Sequence, residues 1–398
     1  MSRKQSLWKA LLGIRVLMVF ALLAFFIGTI GLTEAQAAYK FPSIIYWGTG
    51  DVGSATYVVD AVVAEKIAPA LGSKIRLIPG NDAERINMLR AGRAHIAYLG
   101  ADLYWASMGL AHYSAFAFGP QPLRIIWAGW PNFGASIGDA TAVSGIKTPY
   151  DLKGKRVIRV IGSAWSTEGV RGTLAFGKLT LDDVTIVDVS TAGAAYKALA
   201  EGKGDFTMGS NASPTFYEAD AGPHGLYIVR YPHEDKEGWE RYRKFMPYQV
   251  PGYTTEGAGV KKGEKIPTPQ YANPVTTTLA SQPDEFVYAI CKAIYSKMNE
   301  ICLAYSGLEG MRPEKIIPEM TALGPFHPGA IKFLKEIGIW KEAHEIANKK
   351  RLVQMEKVNK RWLAYLDEAH EKMAKTGKKV DPVMEWRLIV EQEIGLLP

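Results

Sequence analysis

Residues 43–68 read SIIYWGTGDVGSATYVVDAVVAEKIA and join three patterns in one short stretch. The apolar run from Ser43 to Trp47 predicts a buried strand, and the three glycines that follow predict a tight turn. Ser54 to Ala68 then has the composition of a helix. A strand, a glycine turn and a helix in this order are typical of the first unit of an α/β fold.

The same alternation of apolar runs and helical segments continues along most of the chain. Up to residue 132 it predicts strands at 74–78, 95–99 and 124–130 and helices at 82–90 and 101–109. Beyond residue 149 it predicts strands at 156–161, 185–189, 205–209, 226–231 and 275–280, and helices at 166–176, 192–201 and 283–304. Asn81, with Glu84 three residues later, forms a capping-box pattern at the start of the second helix. The sequence therefore predicts two α/β units.

Two stretches rich in Gly, Pro, Ser and Thr separate these units, at residues 133–149 and 247–274. We interpret them as the outward crossing between two lobes and the return. We expect lobe 1 to contain residues 38–135 and 256–340, lobe 2 to contain 136–255, and a helical extension to cover 341–398. In the extension, apolar side chains recur at spacings of three and four, which predicts one helix with a solvated basic face; they are Met355, Val358, Trp362, Leu366, Ala369 and Met373.

The first 37 residues have the pattern of a secretory signal peptide. Four basic residues precede a nearly continuous apolar run from Val16 to Ile30, and Ala35-Gln36-Ala37 is a small-x-small cleavage site. A retained signal anchor is the alternative, because the apolar run is not far short of a membrane span. We expect cleavage after Ala37 and a periplasmic protein with no stable membrane anchor.

Composition excludes several classes of protein. The 398 residues are 47% hydrophobic and 22% charged, as in globular proteins, and a mean hydropathy of −0.05 excludes a polytopic membrane protein. The formal charge of +7 is mild and no dense basic block occurs, so nucleic-acid binding is not expected.

Cys291 and Cys302 share one predicted helix, in which eleven residues span about 16 Å. This distance is too long for a disulfide, so we expect two free thiols. No metal-ligand spacing occurs.

The turn at Gly48, Gly50 and Gly53 matches G-x-G-x-x-G, the dinucleotide-binding pattern. The acidic residue expected about 20 positions later, near Ser73, is missing. An exported nicotinamide-dependent enzyme is therefore kept only as an alternative, as is a tight turn without a ligand. Glycines let a ligand approach the backbone, and a helix N-terminus favours an anion. No G-x-S-x-G occurs and the histidines are scattered, so we predict neither catalytic residues nor a cofactor.

Aromatic residues cluster at or just beyond predicted strand ends, where α/β proteins bind ligands; they are Trp47, Tyr98, Trp105, Trp127, Trp130 and Trp165. The segment from Gly162 to Thr167 is a second glycine and hydroxyl loop that mirrors the first. Two such loops, facing each other across a hinge, predict a cleft that closes on a small molecule.

Several motifs resemble those of the TAXI-type solute-binding proteins of tripartite ATP-independent periplasmic (TRAP) transporters. The resemblance covers about Ile44 to Gly338. It rests on Trp47-Gly48-Thr49-Gly50, on residues 81–89 (NDAERINML), on 92–97 (GRAHIA), on 151–157 (DLKGKRV), on Ala198-Leu199 with Gly204-Asp205, and on Phe326-His327-Pro328-Gly329-Ala330. The final motif, in combination with the others, is the most specific. Trp165 departs from the family, which commonly has small residues in this loop.

The resemblance implies a type II periplasmic-binding-protein fold, with two hinged α/β lobes, an interlobe ligand cleft and, here, additional C-terminal helices. It implies a protein without catalysis that hands a small organic solute, such as a carboxylate or an amino acid, to TRAP permease subunits. Uptake would use an ion gradient. A subunit that reports ligand occupancy to a sensor kinase is an alternative with the same binding chemistry.

We predict polar contacts and aromatic walls from both lobes, at Thr49, Asp51, Asn81, Asp82, Tyr98, Asp102, Trp127, Ser163, Trp165, Ser166, Thr167, Ser210, Asn211 and Tyr253. Arg85, Arg159 and Arg171 are candidate partners for a ligand carboxylate. The three aspartates suit a ligand with an amino or hydroxyl group, whereas a purely anionic ligand would be repelled. The sequence leaves this conflict open.

Overall fold

The computed structural model describes residues 39–131, 133–139 and 144–396. The chain from Phe41 onward forms one compact unit. The predicted signal peptide lies outside the described residues. Within the described ranges, no helix combines the length and the apolar character that a membrane span requires.

The first of two main sheets has five strands: β1 (Ile44–Thr49), β2 (Lys74–Pro79), β3 (Ile96–Tyr98), β4 (Leu123–Ala128) and β12 (Val275–Leu279). Their order is β2-β1-β3-β12-β4. β1 is parallel to β2 and β3, whereas β12 is antiparallel to β3 and β4. The late strand β12 therefore brings the returning chain into the middle of this sheet.

The second main sheet repeats this pattern. It contains β5 (Ser136–Asp139), β6 (Arg156–Val160), β7 (Thr185–Val189), β8 (Phe206–Met208) and β9 (Leu226–Ile228), in the order β7-β6-β8-β5-β9. β6 is parallel to β7 and β8, and β5 is antiparallel to β8 and β9. A separate hairpin, β10 (Val250–Thr254) with β11 (Ile266–Gln270), lies on the return path.

Eleven α-helices cover the sheets and the C-terminal part of the described chain: α1 (Ala55–Leu71), α2 (Asp82–Arg90), α3 (Asp102–Met108), α4 (Ala164–Phe176), α5 (Ala192–Ala200), α6 (Pro214–Asp220), α7 (Lys236–Arg243), α8 (Asp284–Ala304), α9 (Pro328–Glu336), α10 (Glu342–Thr376) and α11 (Pro382–Ile389). The architecture is that of a type II periplasmic binding protein, two α/β lobes followed by C-terminal helices, as predicted.

Most elements lie where the sequence predicts them. The helix at 82–90 matches α2, and Asn81 and Glu84 form the expected reciprocal capping box. Both thiols are free and buried within α8, as expected from their spacing. The apolar run that predicted β1 reflects its burial, since Ile45 and Trp47 in this strand are completely buried.

Two predicted crossings contain structure that the sequence does not reveal. Residues 133–149 include β5, whose four residues, Ser-Ile-Gly-Asp, are too short and too polar to read as a strand. Pairing with β8 and β9, far along the chain, makes β5 an antiparallel strand between those two. Residues 247–274 likewise contain the β10–β11 hairpin. The short helices α6, α7, α9 and α11 are also absent from the prediction.

The predicted tail helix is α10, and most of its apolar stripe is buried, as expected. Its basic face is not wholly solvated, because Arg351 is completely buried and its guanidinium lies 5.0 Å from the centre of the Tyr104 ring. After α10 the chain turns back into α11, where the indole N–H of Trp386 donates to the Met108 carbonyl oxygen at 3.0 Å. The extension therefore packs directly on α3.

Candidate functional site

A cavity of about 140 Å³ lies where the two main sheets point the carboxyl ends of their parallel strands at each other. Segments that follow β1, β2 and β3 line one side, and segments that follow β6, β7 and β8 line the other. Residues from the two crossings, including Phe133 and Gln270, complete the wall. This is the position at which open α/β sheets bind ligands.

Nine of the fourteen predicted site residues line this cavity, namely Asp51, Asn81, Asp82, Tyr98, Asp102, Ser163, Trp165, Ser166 and Ser210. Arg85 lines it as well. The other two arginine candidates are engaged outside the lining: Arg159 forms an ion pair with Asp188 at 2.7 Å, and Arg171 lies 3.4 Å from Glu168. A ligand-binding role for the nine stays a prediction.

The structure places two predicted residues behind the cavity wall. Thr49 is completely buried beside the carboxyl group of Asp60. Trp127 is a core residue, because it is completely buried and its indole N–H donates to the Met311 carbonyl oxygen at 2.8 Å. A strand end alone does not show which face its side chain occupies, and this explains why both lie outside the cavity lining.

Three further predicted residues have other positions. Asn211 joins the two crossings, because its side chain accepts from the Gly134 amide at 2.9 Å and donates to the Ala258 carbonyl oxygen at 3.0 Å. Tyr253 is half exposed on β10, with its ring 4.7 Å from that of His233. Thr167 lies in the first turn of α4 but outside the cavity lining.

Among the described residues that line the cavity, four are carboxylic acids or strong bases: Asp51, Asp82, Arg85 and Asp102. Arg85 and Asp82 form an ion pair within one turn of α2. Burial lowers the pKa of Arg85, whose guanidinium also lies 5.6 Å from the centre of the Tyr98 ring. Among the lining residues that the structure describes, the one cation thus has an anionic partner, while its Nε atom has no hydrogen-bond partner.

Asp102 connects the two sides of the cavity. Its side chain accepts from the Tyr113 hydroxyl at 3.1 Å, and the backbone N–H of Trp165, from α4, lies near enough to favour its charged form. Asp102 is 1% exposed, and this burial raises its pKa. Asp102 and Trp165, which follow strands of different sheets, therefore both line this cavity.

Six of the described helices begin at residues that line the cavity; α1, α2, α4 and α5 have a side-chain cap, whereas α3 and α6 have none. Ser54 accepts from the Tyr57 amide in α1, Ser163 from the Ser166 amide in α4, and Thr191 from the Ala194 amide in α5. In addition, the Ala55 amide donates to the Ser213 hydroxyl at 3.4 Å, across the lobes. These caps occupy amides that an anion would otherwise use.

Three buried polar atoms of lining residues have no hydrogen-bond partner among the described residues: Arg85 Nε, Trp165 Nε1 and Gln270 Oε1. The Gln270 amide nitrogen donates to the Phe133 carbonyl oxygen at 3.1 Å. A carbonyl oxygen only accepts, so this contact fixes the orientation of the amide. Gln270 Oε1 is therefore a buried acceptor without a donor.

Several residues of the cavity lining were not predicted from the sequence: Ser54, Thr56, Phe133, Ser190, Thr191, Tyr196, Ser213, Gln270, Tyr271 and Asn273. Ser190 and Thr191 follow the predicted strand β7 and precede α5, so the strand-end rule could have found them. Gln270, Tyr271 and Asn273 lie on the return crossing, where the sequence carries no comparable signal. The described residues contain no cluster of His, Cys, Asp and Glu that could hold a metal ion.

The fold and cavity define a two-lobed α/β protein of the periplasmic-binding type. Residues 47–338 match the model of the NMT1-like family, and the chain belongs to this family. The match ends before α10, so the extension lies outside it.

Solved structures with a related fold are distant in sequence. A mutant of the arginine-binding protein from T. maritima is 13% identical, covers 68% of this chain and 95% of its own, and has a TM-score of 0.38. The periplasmic aliphatic sulphonate binding protein from Escherichia coli is 14% identical, covers 78% and 89%, and has a TM-score of 0.39. An amino acid ABC transporter substrate-binding protein from Streptococcus pneumoniae, bound to L-arginine, is 12% identical, covers 65% and 90%, and has a TM-score of 0.38.

Proposed function

We propose that this chain is the extracytoplasmic solute-binding subunit of a TRAP transporter. It captures a small organic solute, a carboxylate or an amino acid, in the interlobe cavity and delivers it to the membrane permease. It acts in the periplasm after removal of residues 1–37, and it performs no catalysis. The observation that carries this proposal is the cavity between the carboxyl ends of both sheets, across which the Trp165 backbone lies near Asp102.

Two further observations support the proposal. The chain belongs to the NMT1-like family, and its motifs, from about Ile44 to Gly338, resemble those of TAXI-type proteins. The glycine turn gives the enzyme alternative little support. A Cβ on Gly50 would lie 2.9 Å from the Ser54 hydroxyl, so the turn is filled by its own helix cap.

Thermal unfolding of residues 38–398 with a panel of solutes tests the binding step. The panel holds amino acids, dicarboxylates, aromatic acids and nicotinamide dinucleotides. A ligand at 100 times its dissociation constant stabilises the protein by about 2.7 kcal/mol, which a melting curve resolves. We expect a shift with a small acid or amino acid. A shift with dinucleotides alone would favour the nicotinamide enzyme.

Uptake by vesicles that contain the permease tests the delivery step. We expect uptake to need this protein and an ion gradient, but no ATP. Binding without any uptake would instead favour the sensor-kinase alternative, in which the same closed cavity reports occupancy to a different membrane partner.

A further inference from the structure

The charges of the cavity are unbalanced. Three carboxyl groups face one guanidinium among the described lining residues, and that guanidinium is paired with Asp82. Asp51 and Asp102 form no ion pair with any described residue. Asp102 is buried and is attracted by His112 and Arg85 but has no paired cation in the described ranges, and Asp51 is partly buried, so a bound ligand that supplied a cation would gain from both groups.

The uncharged polar groups agree with this imbalance. Gln270 is 1% exposed and its Oε1 atom, at the cavity, is an acceptor with no donor in the described structure. The amides that would favour an anion are partly used, because α1, α4 and α5 are capped by Ser54, Ser163 and Thr191. The cavity therefore offers several hydrogen-bond acceptors, which suit a ligand that can donate hydrogen bonds better than an anion.

Aromatic rings form much of the remaining wall, at Tyr98, Phe133, Trp165, Tyr196 and Tyr271. The face of an aromatic ring attracts a cation, and rings combined with carboxylates are a recurrent way to bind an ammonium group. Trp165 Nε1, which has no partner among the described residues, would meet an acceptor on the same ligand.

We propose that the cavity selects a small organic solute with a cationic amino or ammonium group and a separate hydrogen-bond acceptor. The cation lies against Asp102, Asp51 and Gln270 Oε1, and the acceptor meets Trp165 Nε1. This inference deepens the proposed function and rests on it. The three aspartates of the cavity would repel a purely anionic ligand, and this inference settles the question of ligand charge. The ligand is a zwitterion or a cation, and not a dianion.

Matched pairs of probes test the charge preference by calorimetry on residues 38–398. 4-Aminobutyrate and glutarate differ by an ammonium in place of a carboxylate, and choline and 3,3-dimethylbutan-1-ol differ by a charged nitrogen in place of a carbon. We expect the cationic member of at least one pair to bind ten times more tightly than its partner. Tighter binding of glutarate overturns the inference and leaves the proposed function standing. Failure of these probes and of the whole solute panel counts against both.

Two substitutions test the residues, with a matched control. Asp102→Asn and, separately, Asp51→Asn should each weaken binding of the cationic probe at least tenfold while the circular dichroism spectrum is unchanged. Asp188→Asn removes a carboxylate that is paired with Arg159 outside the cavity lining, and it should leave affinity unchanged. Because Asp51 is not an interior residue, its variant remains informative if Asp102→Asn fails to fold. Unchanged affinity in Asp51→Asn and in a folded Asp102→Asn overturns the assignment.

Discussion

The Nη1 atom of Arg387 lies 2.8 Å from the Oε2 atom of Glu168. Arg387 belongs to α11 in the extension, whereas Glu168 belongs to α4 of the second lobe. The adjacent Trp386 is bonded to Met108 of the first lobe, so α11 contacts both lobes. Through Arg387 and Trp386, α11 therefore joins the extension to both lobes, three parts that are far apart in the chain.

Arg387→Met should lower the free energy of unfolding by about 3 kcal/mol, because it leaves a buried carboxylate with a weaker partner. Glu168 is 4% exposed and keeps only the longer contact to Arg171. Urea unfolding followed by circular dichroism measures the loss. Arg361→Met is the control, since Arg361 pairs with Glu393 within the extension on the exposed surface, and its loss should cost about 1 kcal/mol or less. Equal losses in both variants would contradict a special role for the first pair.

Asp60 should make stability fall as pH rises. Burial raises its pKa from 3.8 to about 8, so over that interval the folded protein holds a proton that the unfolded chain has released. The contribution of Asp60 to the free energy of unfolding is complete below its pKa in the unfolded chain. It is lost as the pH rises towards 8, at about 1.4 kcal/mol per pH unit. Asp60→Asn should remove this dependence. In urea unfolding, the stability of the variant relative to the wild type should therefore be higher at pH 7.5 than at pH 5. A constant difference between the two proteins would refute the assignment.

Trp165→Phe keeps a ring at the cavity but removes the Nε1–H donor. Affinity for the solute identified by the panel should fall by about 1 kcal/mol, whereas Trp165→Ala should lose more, because it also removes the aromatic wall. Calorimetry measures both. Trp127→Phe is the control: it breaks the buried bond to Met311, so it should lower the melting temperature without changing affinity. A loss of affinity in the control would show that Trp127 does influence the site.

Two glycines at the second position of a helix should respond oppositely to alanine. At Gly193 in α5, an added Cβ meets no atom within 4 Å, so Gly193→Ala should stabilise the protein by about 0.5–1 kcal/mol. At Gly329 in α9, a Cβ would lie 2.2 Å from the Asp284 carbonyl oxygen, so Gly329→Ala should destabilise it. Melting temperatures of the two variants give the sign directly. A stable Gly329→Ala would mean that α9 does not pack on the start of α8.

The thiols should be inert in the folded protein. Cys291 and Cys302 are buried, and burial raises the pKa of each, so little thiolate is available for reaction. A disulfide-exchange reagent should titrate neither thiol in the native protein and both in guanidinium. Rapid reaction of one thiol under native conditions would indicate that α8 opens.

The sequence was most informative where a local pattern determines the structure. Asn81 and Glu84 predict the start of α2 to the residue, since the capping box lies within four positions. β5 escaped detection because its four residues become a strand only by pairing with β8 and β9. The site divides in the same way. Asp102 and Ser163 follow strands that are recognisable in sequence, whereas Gln270 reaches the cavity through a crossing whose path depends on the whole fold.

The bond between Trp386 and Met108 spans 278 positions of the chain. During synthesis, α3 must therefore wait for almost the entire remaining polypeptide before its final neighbour exists. Contacts of such long range form late, because a large loop has to close first. A polypeptide threaded N-terminus first through a secretion pore would thus stay short of its finished structure until the segment around residue 386 had emerged. In the exported protein that we propose, the extension in this way delays completion of the fold until this segment has crossed the membrane.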